Sequence, residues 1–205
     1  MKILAVIWDV GGVLLRTENP IPRQKLADRL QISRSELEQI VFDSVSSRNA
    51  QLGEITAEQH WENVGRMLNL QLEEMGEIQR EFWGGDIVDY DLVDTIRSLQ
   101  RAAFKTGILS NAFSSLRKFV VSEIQIGDAF DEIIISAEVG LMKPDPRIYQ
   151  FALARMGVDP GEAVFIDDSQ GNILAACELG MHAFQFRTPE QTHRELEALL
   201  DGRVG

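Results

Sequence analysis

One cysteine, Cys177, is all the thiol that this chain of 205 residues has, so no disulfide can close within it. That is the usage expected of a reducing, cytoplasmic setting. Its position in an apolar helical pattern makes it a small buried hydrophobe by expectation. Basic residues are also in deficit: 20 Lys and Arg stand against 32 Asp and Glu, a formal charge of −12. Nucleic acid and anionic membrane surfaces are gripped mainly through Lys and Arg, so neither is an expected partner. No stretch approaches the roughly 20 apolar residues of a membrane span. The start, "MKILAVIWDVGGVLL", has the lysine and apolar run of a secretion signal, but Asp9 interrupts the run and no small-residue cleavage site follows. It reads as a strand. Internal repeats, low-complexity tracts and long linkers are missing as well.

What the chain does have is a rhythm. Apolar runs of strand length fall at Ile3–Trp8, Thr106–Leu109, Ile133–Ile135, Ala163–Ile166 and Ala183–Phe186, with helical patterns between the last four. Strands alternating with helices predict an α/β fold, a Rossmann-like, doubly wound parallel sheet covered on both faces. The interval between the first two strands is far longer than a crossover needs. It reads as helix: Ser33 with Glu36 and Thr56 with Gln59 are capping-box pairs, Trp61, Val64 and Leu68 share a face, and a helix with Leu72, Met75, Ile78 and Phe82 stops at Gly84-Gly85. The expected organisation is therefore a discontinuous core, 1–15 and 88–205, with a small α-helical cap inserted at 16–87. Trp61, Phe82 and Trp83 are expected in the cap's own core. Arg16 and the glycine pair are the places where such a cap would hinge. Later, "PDPRIYQFALARMG" reads as a helix closed by Gly157, and Thr188 with Gln191 opens a last one.

Polar residues collect where the strands end. Asp9 follows the first, Ser110-Asn111 the second and Asp167-Asp168 the fourth, and Lys143 lies in the loop after the third. In an open parallel sheet that edge is where ligands bind. Each signal alone has an ordinary explanation, since Asp-x-Gly, "SN" and "KPDP" are common turn and helix-entry sequences. Four matching strand ends are much harder to explain by turns alone. Three carboxylates converging in one crevice repel one another unless protons or a cation neutralise them, and an all-oxygen site of this kind suits Mg²⁺. The cation would also draw a phosphoryl group to an acidic protein.

In these motifs the chain resembles the haloacid dehalogenase-like superfamily of hydrolases. Asp9 in "WDVGGVLL", Ser110 in "ILSN", Lys143 in "GLMKPDPRIY" and Asp167-Asp168 in "VFIDDSQGNILAAC" match its four motifs in order, spacing and strand context. The helical insertion resembles the small cap of the family's first subclass. The resemblance implies that Asp9 is the nucleophile, forming an aspartyl-phosphate that water hydrolyses. It implies that Ser110, the Asn111 backbone and the amides of Gly11 and Gly12 hold phosphoryl oxygens, with Lys143 neutralising charge. It further implies Mg²⁺ on Asp9, the Gly11 carbonyl and Asp168, with Asp167 as a fourth ligand or a partner of those ligands. One departure stands out: most phosphatases of the superfamily carry an acid/base aspartate where this chain has Gly11, a loss worth roughly 10²–10⁴-fold in rate. An Asp-x-Gly first motif is similar to that of small bacterial sugar phosphatases. The expected activity is thus a Mg²⁺-dependent phosphatase acting on a small phosphorylated metabolite such as a sugar phosphate. A 2-haloacid dehalogenase and a catalytically decayed metal- or phosphate-binding regulatory module are the alternatives. Glu18 and His60 are candidate substitute acids, both expected at solvated positions.

Overall fold

The computed structural model describes residues 2–200; residues 201–205, which the sequence reading places in the core, lie outside the described residues. Strand β1 (Ala5–Trp8) is completely buried and lies at the centre of a five-stranded sheet. It pairs in parallel with β4 (Lys105–Ser110) on one side and β6 (Ala163–Asp167) on the other, while β5 (Glu132–Ile135) and β7 (His182–Gln185) add outside them, giving the order β5-β4-β1-β6-β7. All five strands match apolar runs of the sequence within a residue or two.

Alternation along the strands builds two cores. Val6 and Trp8 of β1, Ile108 of β4 and Val164 and Ile166 of β6 face one way, onto Leu92, Val93, Ile96 and Leu99 of α6 (Tyr90–Arg101) and Leu196 of α11 (Pro189–Leu199). Ala5, Ile7, Leu109 and Phe165 face the other way, onto Ile148, Tyr149, Ala152 and Met156 of α9 (Pro146–Met156) and Ile173 and Ala176 of α10 (Gln170–Glu178). The period of two along a strand therefore yields a helix–sheet–helix sandwich. Each buried aliphatic side chain in it contributes about 1.5–3 kcal/mol. The crossovers change direction between the β4–β5 half and the β6–β7 half, which leaves the crevice at the carboxyl end of β1.

Between β1 and β4 the chain is not helical throughout. A two-stranded antiparallel ribbon, β2 (Leu15–Thr17) with β3 (Asp86–Val88), joins the two ends of the insertion and has no counterpart among the expected elements. Three-residue strands are too short to display a period. The expected boundaries at 16 and 87 fall inside this ribbon. Arg16, expected at a hinge, is tied there to Asp89 at 2.7 Å and to the Val13 carbonyl at 2.6 Å.

Among the described residues, five α-helices lie between the ribbon strands: α1 (Ile21–Arg29), α2 (Arg34–Phe42), α3 (Val45–Gln51), α4 (Ala57–Met67) and α5 (Met75–Trp83). They enclose a separate apolar cluster that includes Leu26, Leu37, Val41, Trp61, Val64, Ile78 and Phe82. Trp61, Phe82 and Trp83 contact one another edge-on, as core residues do. Arg23 enters this cluster with its guanidinium 4.2 Å from the Phe82 ring centroid and 3.0 Å from Asp86 of the ribbon. Thr56 and Gln59 make the reciprocal capping box, whereas at Ser33 and Thr188 the side chain caps the helix without the reciprocal bond to its own backbone N–H. Gly157 closes α9 in the left-handed conformation. Gly84 does not, having φ −67°. The pair is glycine for another reason, because a Cβ on Gly85 would collide with the Asn19 carbonyl oxygen. Cys177, expected to be buried, is exposed: Ile173 and Ala176 of α10 take the inward positions.

The insertion touches the sheet side at Gly53, after α3. Gly53 has φ +74°, and a Cβ there would collide with the carbonyl oxygen of Ala137 in α8 (Ser136–Val139), the helix after β5. Only glycine satisfies both demands. Gly53→Ala is expected to lower unfolding stability by at least about 1–3 kcal/mol. Urea unfolding of wild type and variant checks this, and unchanged midpoints would remove the contact from the account.

Candidate active site

Asp9 leaves β1 with its backbone N–H bonded to the Ile166 carbonyl at 2.9 Å, which holds the residue at the sheet edge after the strand's side chains have ended. Its Oδ1 accepts from the Val10 N–H at 2.7 Å and lies 3.1 Å from Lys143 Nζ. The lysine is buried, at 2% exposure, and its ammonium also donates to the Leu109 carbonyl at 2.8 Å and to Asp167 Oδ2 at 2.6 Å. An ammonium has three N–H groups, and here each has an oxygen. The three oxygens come from the ends of β1, β4 and β6.

Neighbours fix both partners. Asn111 Oδ1 accepts from the Lys143 N–H at 2.7 Å while its Nδ2 donates to the Lys143 carbonyl at 2.8 Å, so one side chain clamps the loop that delivers the lysine. Asp167 is fully buried, its Oδ1 accepting from the Ser169 N–H at 2.8 Å and from Asn172 Nδ2 at 3.0 Å. Tyr149, stacked edge-on against Phe165, donates to the Asn172 carbonyl at 2.9 Å. Ser110 ends β4 at 3% exposure, one residue beyond the carbonyl that Lys143 uses.

Asp168 is the outward member of the pair. Gly12 has φ +73°, and a Cβ on it would collide with Asp168 Oδ2, so this carboxylate rests on the glycine backbone. Gly11 is different: a Cβ there would meet nothing within 4 Å. Carboxylate oxygens of Asp9, Asp167 and Asp168 lie within 4.8 Å of one another. Burial, reinforced by the Asp167 charge and opposed by Lys143, pushes the Asp9 carboxyl up to about 7. Burial and the same neighbouring charge push Asp168 upward as well. Crowded carboxylates of raised pKa gain from a cation, and the donor set of carboxylates beside an exposed glycine backbone fits a hard divalent ion. Asp9 and Asp168 are free to serve it, whereas Asp167 already has partners on both oxygens.

The structure thus brings together Asp9, Gly12, Lys143, Asp167 and Asp168, with Ser110, Asn111 and Gly11 on the same edge. The candidate substitute acids are elsewhere engaged. Glu18 pairs with Arg16 at 3.0 Å with its side chain 52% exposed, as expected of a solvated position. His60 is not solvated: it is fully buried, with Nδ1 3.1 Å from Ser46 Oγ and Nε2 3.1 Å from the Val41 carbonyl. Its ring lies 4.9 Å from that of Phe113, in the loop after β4. Asn172, Ser169 and Tyr149 were missed by sequence reasoning. The only signal was "DDSQGN", in which Asn172 stands one helical turn beyond Asp168 and looks like an ordinary helix residue.

A family model described as a haloacid dehalogenase-like hydrolase matches residues 3–180. The chain belongs to that family. It is similar to the sesquiterpene phosphatase astK of Aspergillus oryzae, at 28% identity across 96% of both chains. It is 30% identical to (S)-2-haloacid dehalogenase 1 of Pseudomonas sp. over 60% of its own length, and spans 57% of that relative. Among solved structures, a haloacid dehalogenase family enzyme from Bacteroides thetaiotaomicron, in complex with magnesium and inorganic phosphate, superposes with a TM-score of 0.76 at 21% identity, covering 91% of this chain and 96% of that one. These matches agree with the α/β sheet described above. Among the described residues no helix is long and apolar enough to cross a membrane.

Two outcomes follow from this geometry. Lys143→Met leaves Asp9 and Asp167 buried without their cation and is expected to cost about 3–5 kcal/mol of stability. Chemical denaturation measures it, and an unchanged midpoint would mean that the ammonium is not the organising charge. His60, whose pKa is lowered from 6.5 by burial, binds fewer protons folded than unfolded. Its contribution is complete above the ordinary value and declines as pH falls below about 6.5. Stability of His60→Gln should therefore fall less than wild type between neutral and mildly acid pH. Parallel pH curves for the two proteins would refute this.

Proposed function

We propose that this chain is a Mg²⁺-dependent phosphomonoester hydrolase that acts through an aspartyl-phosphate on Asp9, with a small phosphorylated metabolite as substrate and a sugar phosphate as the first class to test. The observation that carries the reading is the convergence of one buried ammonium and three carboxylates at the carboxyl end of the central strand. It is supported by the phosphatase activity named for the full-length relative and by the magnesium and phosphate named for the Bacteroides enzyme. In this reading residues 16–87 form a helical cap over the sheet edge, and the described parts of the expected core segments, 2–15 and 88–200, form the catalytic core.

Asp9 attacks phosphorus. Lys143 neutralises charge on Asp9 and on the arriving phosphoryl group, held in place by Asp167 and by the Asn111 clamp. Ser110, the Asn111 backbone and the amides of Gly11 and Gly12 receive the phosphoryl oxygens. Asp9, the Gly11 carbonyl and Asp168 hold Mg²⁺, which supplies charge neutralisation and orientation when bound. Asp167 supports Lys143 instead of completing the ligand set. A dehalogenase attacks carbon and needs no cation, so Asp168 beside Asp9 would only add repulsion there.

Release of inorganic phosphate from p-nitrophenyl phosphate and a panel of sugar phosphates, with Mg²⁺ and then with EDTA, tests the reading. Turnover should require the metal, and Asp9→Asn should reduce it by at least about 10³-fold while the protein remains folded. Turnover that survives either change would reject Asp9 and the metal as its agents. A folded, Mg²⁺-binding protein that turns over none of these esters but releases halide from 2-chloropropionate would be a dehalogenase.

A further inference from the structure

Phosphoryl transfer through Asp9 has two proton demands. The departing oxygen must be protonated or leave as an anion, and the attacking water must lose a proton. The ionisable groups already described at and near this site have other engagements. Among the described residues, Asp9, Asp167 and Asp168 bring carboxylate oxygens within 4.8 Å of one another at this edge. Asp9 is consumed as the nucleophile. Both oxygens of Asp167 are occupied, by Ser169 and Asn172 on one and by Lys143 and Asn172 on the other, and the carboxylate is fully buried. Lys143 has its three N–H groups on Leu109, Asp167 and Asp9. Asp168 would hold the cation in the proposed reading. Glu18 is turned to Arg16, and both His60 nitrogens are taken. A Cβ on Gly11, two residues after Asp9, would meet open space.

Resting on the phosphatase reading, we infer that the site takes phosphoryl donors whose leaving oxygen departs as a stable anion, and that the aspartyl-phosphate then outlives the leaving group. Acyl and aryl phosphates are such donors, and among sugars the anomeric 1-phosphates precede phosphates of primary alcohols. In the first step the Asp9 oxygen bonds to phosphorus and the bond from phosphorus to the leaving oxygen breaks, its electron pair staying with the leaving group, which takes a proton from solvent. In the second a water oxygen bonds to phosphorus, the bond to Asp9 breaks with its electron pair returning to the carboxylate, and the water proton passes to solvent. Low basicity of the leaving group relieves the first demand. None of the groups named above relieves the second, so with such donors hydrolysis of the phosphoenzyme limits turnover.

Quench-flow measurements on the full chain with Mg²⁺ test this. With p-nitrophenyl phosphate, nitrophenolate should appear in a rapid burst equal to the enzyme present, followed by slow release. The acid-quenched protein should carry a phosphoryl group on the peptide containing Asp9, detected by mass spectrometry. A primary alkyl phosphate should give no burst and far slower turnover. Gly11→Asp, which meets no steric obstacle, should abolish the burst and raise steady turnover by about 10²-fold or more. Should that variant not fold, the comparison of leaving groups in the unaltered protein decides by itself. Metal-dependent release that is linear from the start, without phosphoenzyme, or equal rates for alkyl and aryl esters, would overturn the inference and leave the phosphatase reading standing. No release from any ester would overturn both.

Discussion

The Lys143 ammonium is the point on which the edge of the sheet depends. A cation taken out of water loses several kcal/mol of hydration, and only close, well-aimed oxygens restore it. Here the oxygens are a carbonyl of β4, a carboxylate of β6 and a carboxylate of β1, so three strands must end in register for the charge to be tolerated. The apolar cores on both faces of the sheet make that register rigid. Asn111 then fixes the loop from the other end by taking both backbone groups of the lysine.

Balance of charge explains the rest of the site. One ammonium cannot neutralise three carboxylates. Asp167 receives the shortest of the lysine's contacts and additional donors from Ser169 and Asn172, so it is the carboxylate that is already settled. Asp9 receives a longer one, and Asp168 rests on a glycine backbone. The unneutralised charge is therefore concentrated at the mouth, where a divalent ion and a phosphoryl group would meet it, in a protein whose overall charge of −12 repels anions elsewhere.

Strand ends were legible because burial leaves a simple trace: an apolar run interrupted by a polar residue. Asp9, Ser110 and Asp167 all stand at such interruptions, and Lys143 follows one. Their supporting cast left no trace of that kind. Asn172 reaches Asp167 only because β6 turns directly into α10, and Tyr149 reaches Asn172 only because α9 packs beside α10. His60 looked solvated because a polar residue next to Trp61 on an amphipathic helix usually is; here Ser46 and the Val41 carbonyl supply partners that belong to two other helices. The β2–β3 ribbon was invisible for want of length. Contacts made by packing are not written in local periodicity.

The two glycines after Asp9 show how far steric reasoning carries. Gly12 is demanded by the fold: its φ is positive and Asp168 occupies the place where a Cβ would be. Gly11 is demanded by neither, since its φ is ordinary and the space above it is open. A position that tolerates a side chain sterically, at the lip of a crowded acidic site, acts through the room it leaves. In the proposed reading that room would admit substrate and solvent to Asp9 without a further carboxylate, which would add repulsion to a cluster already short of positive charge. The constraint on Gly12 is therefore structural, and the consequence of Gly11 is chemical.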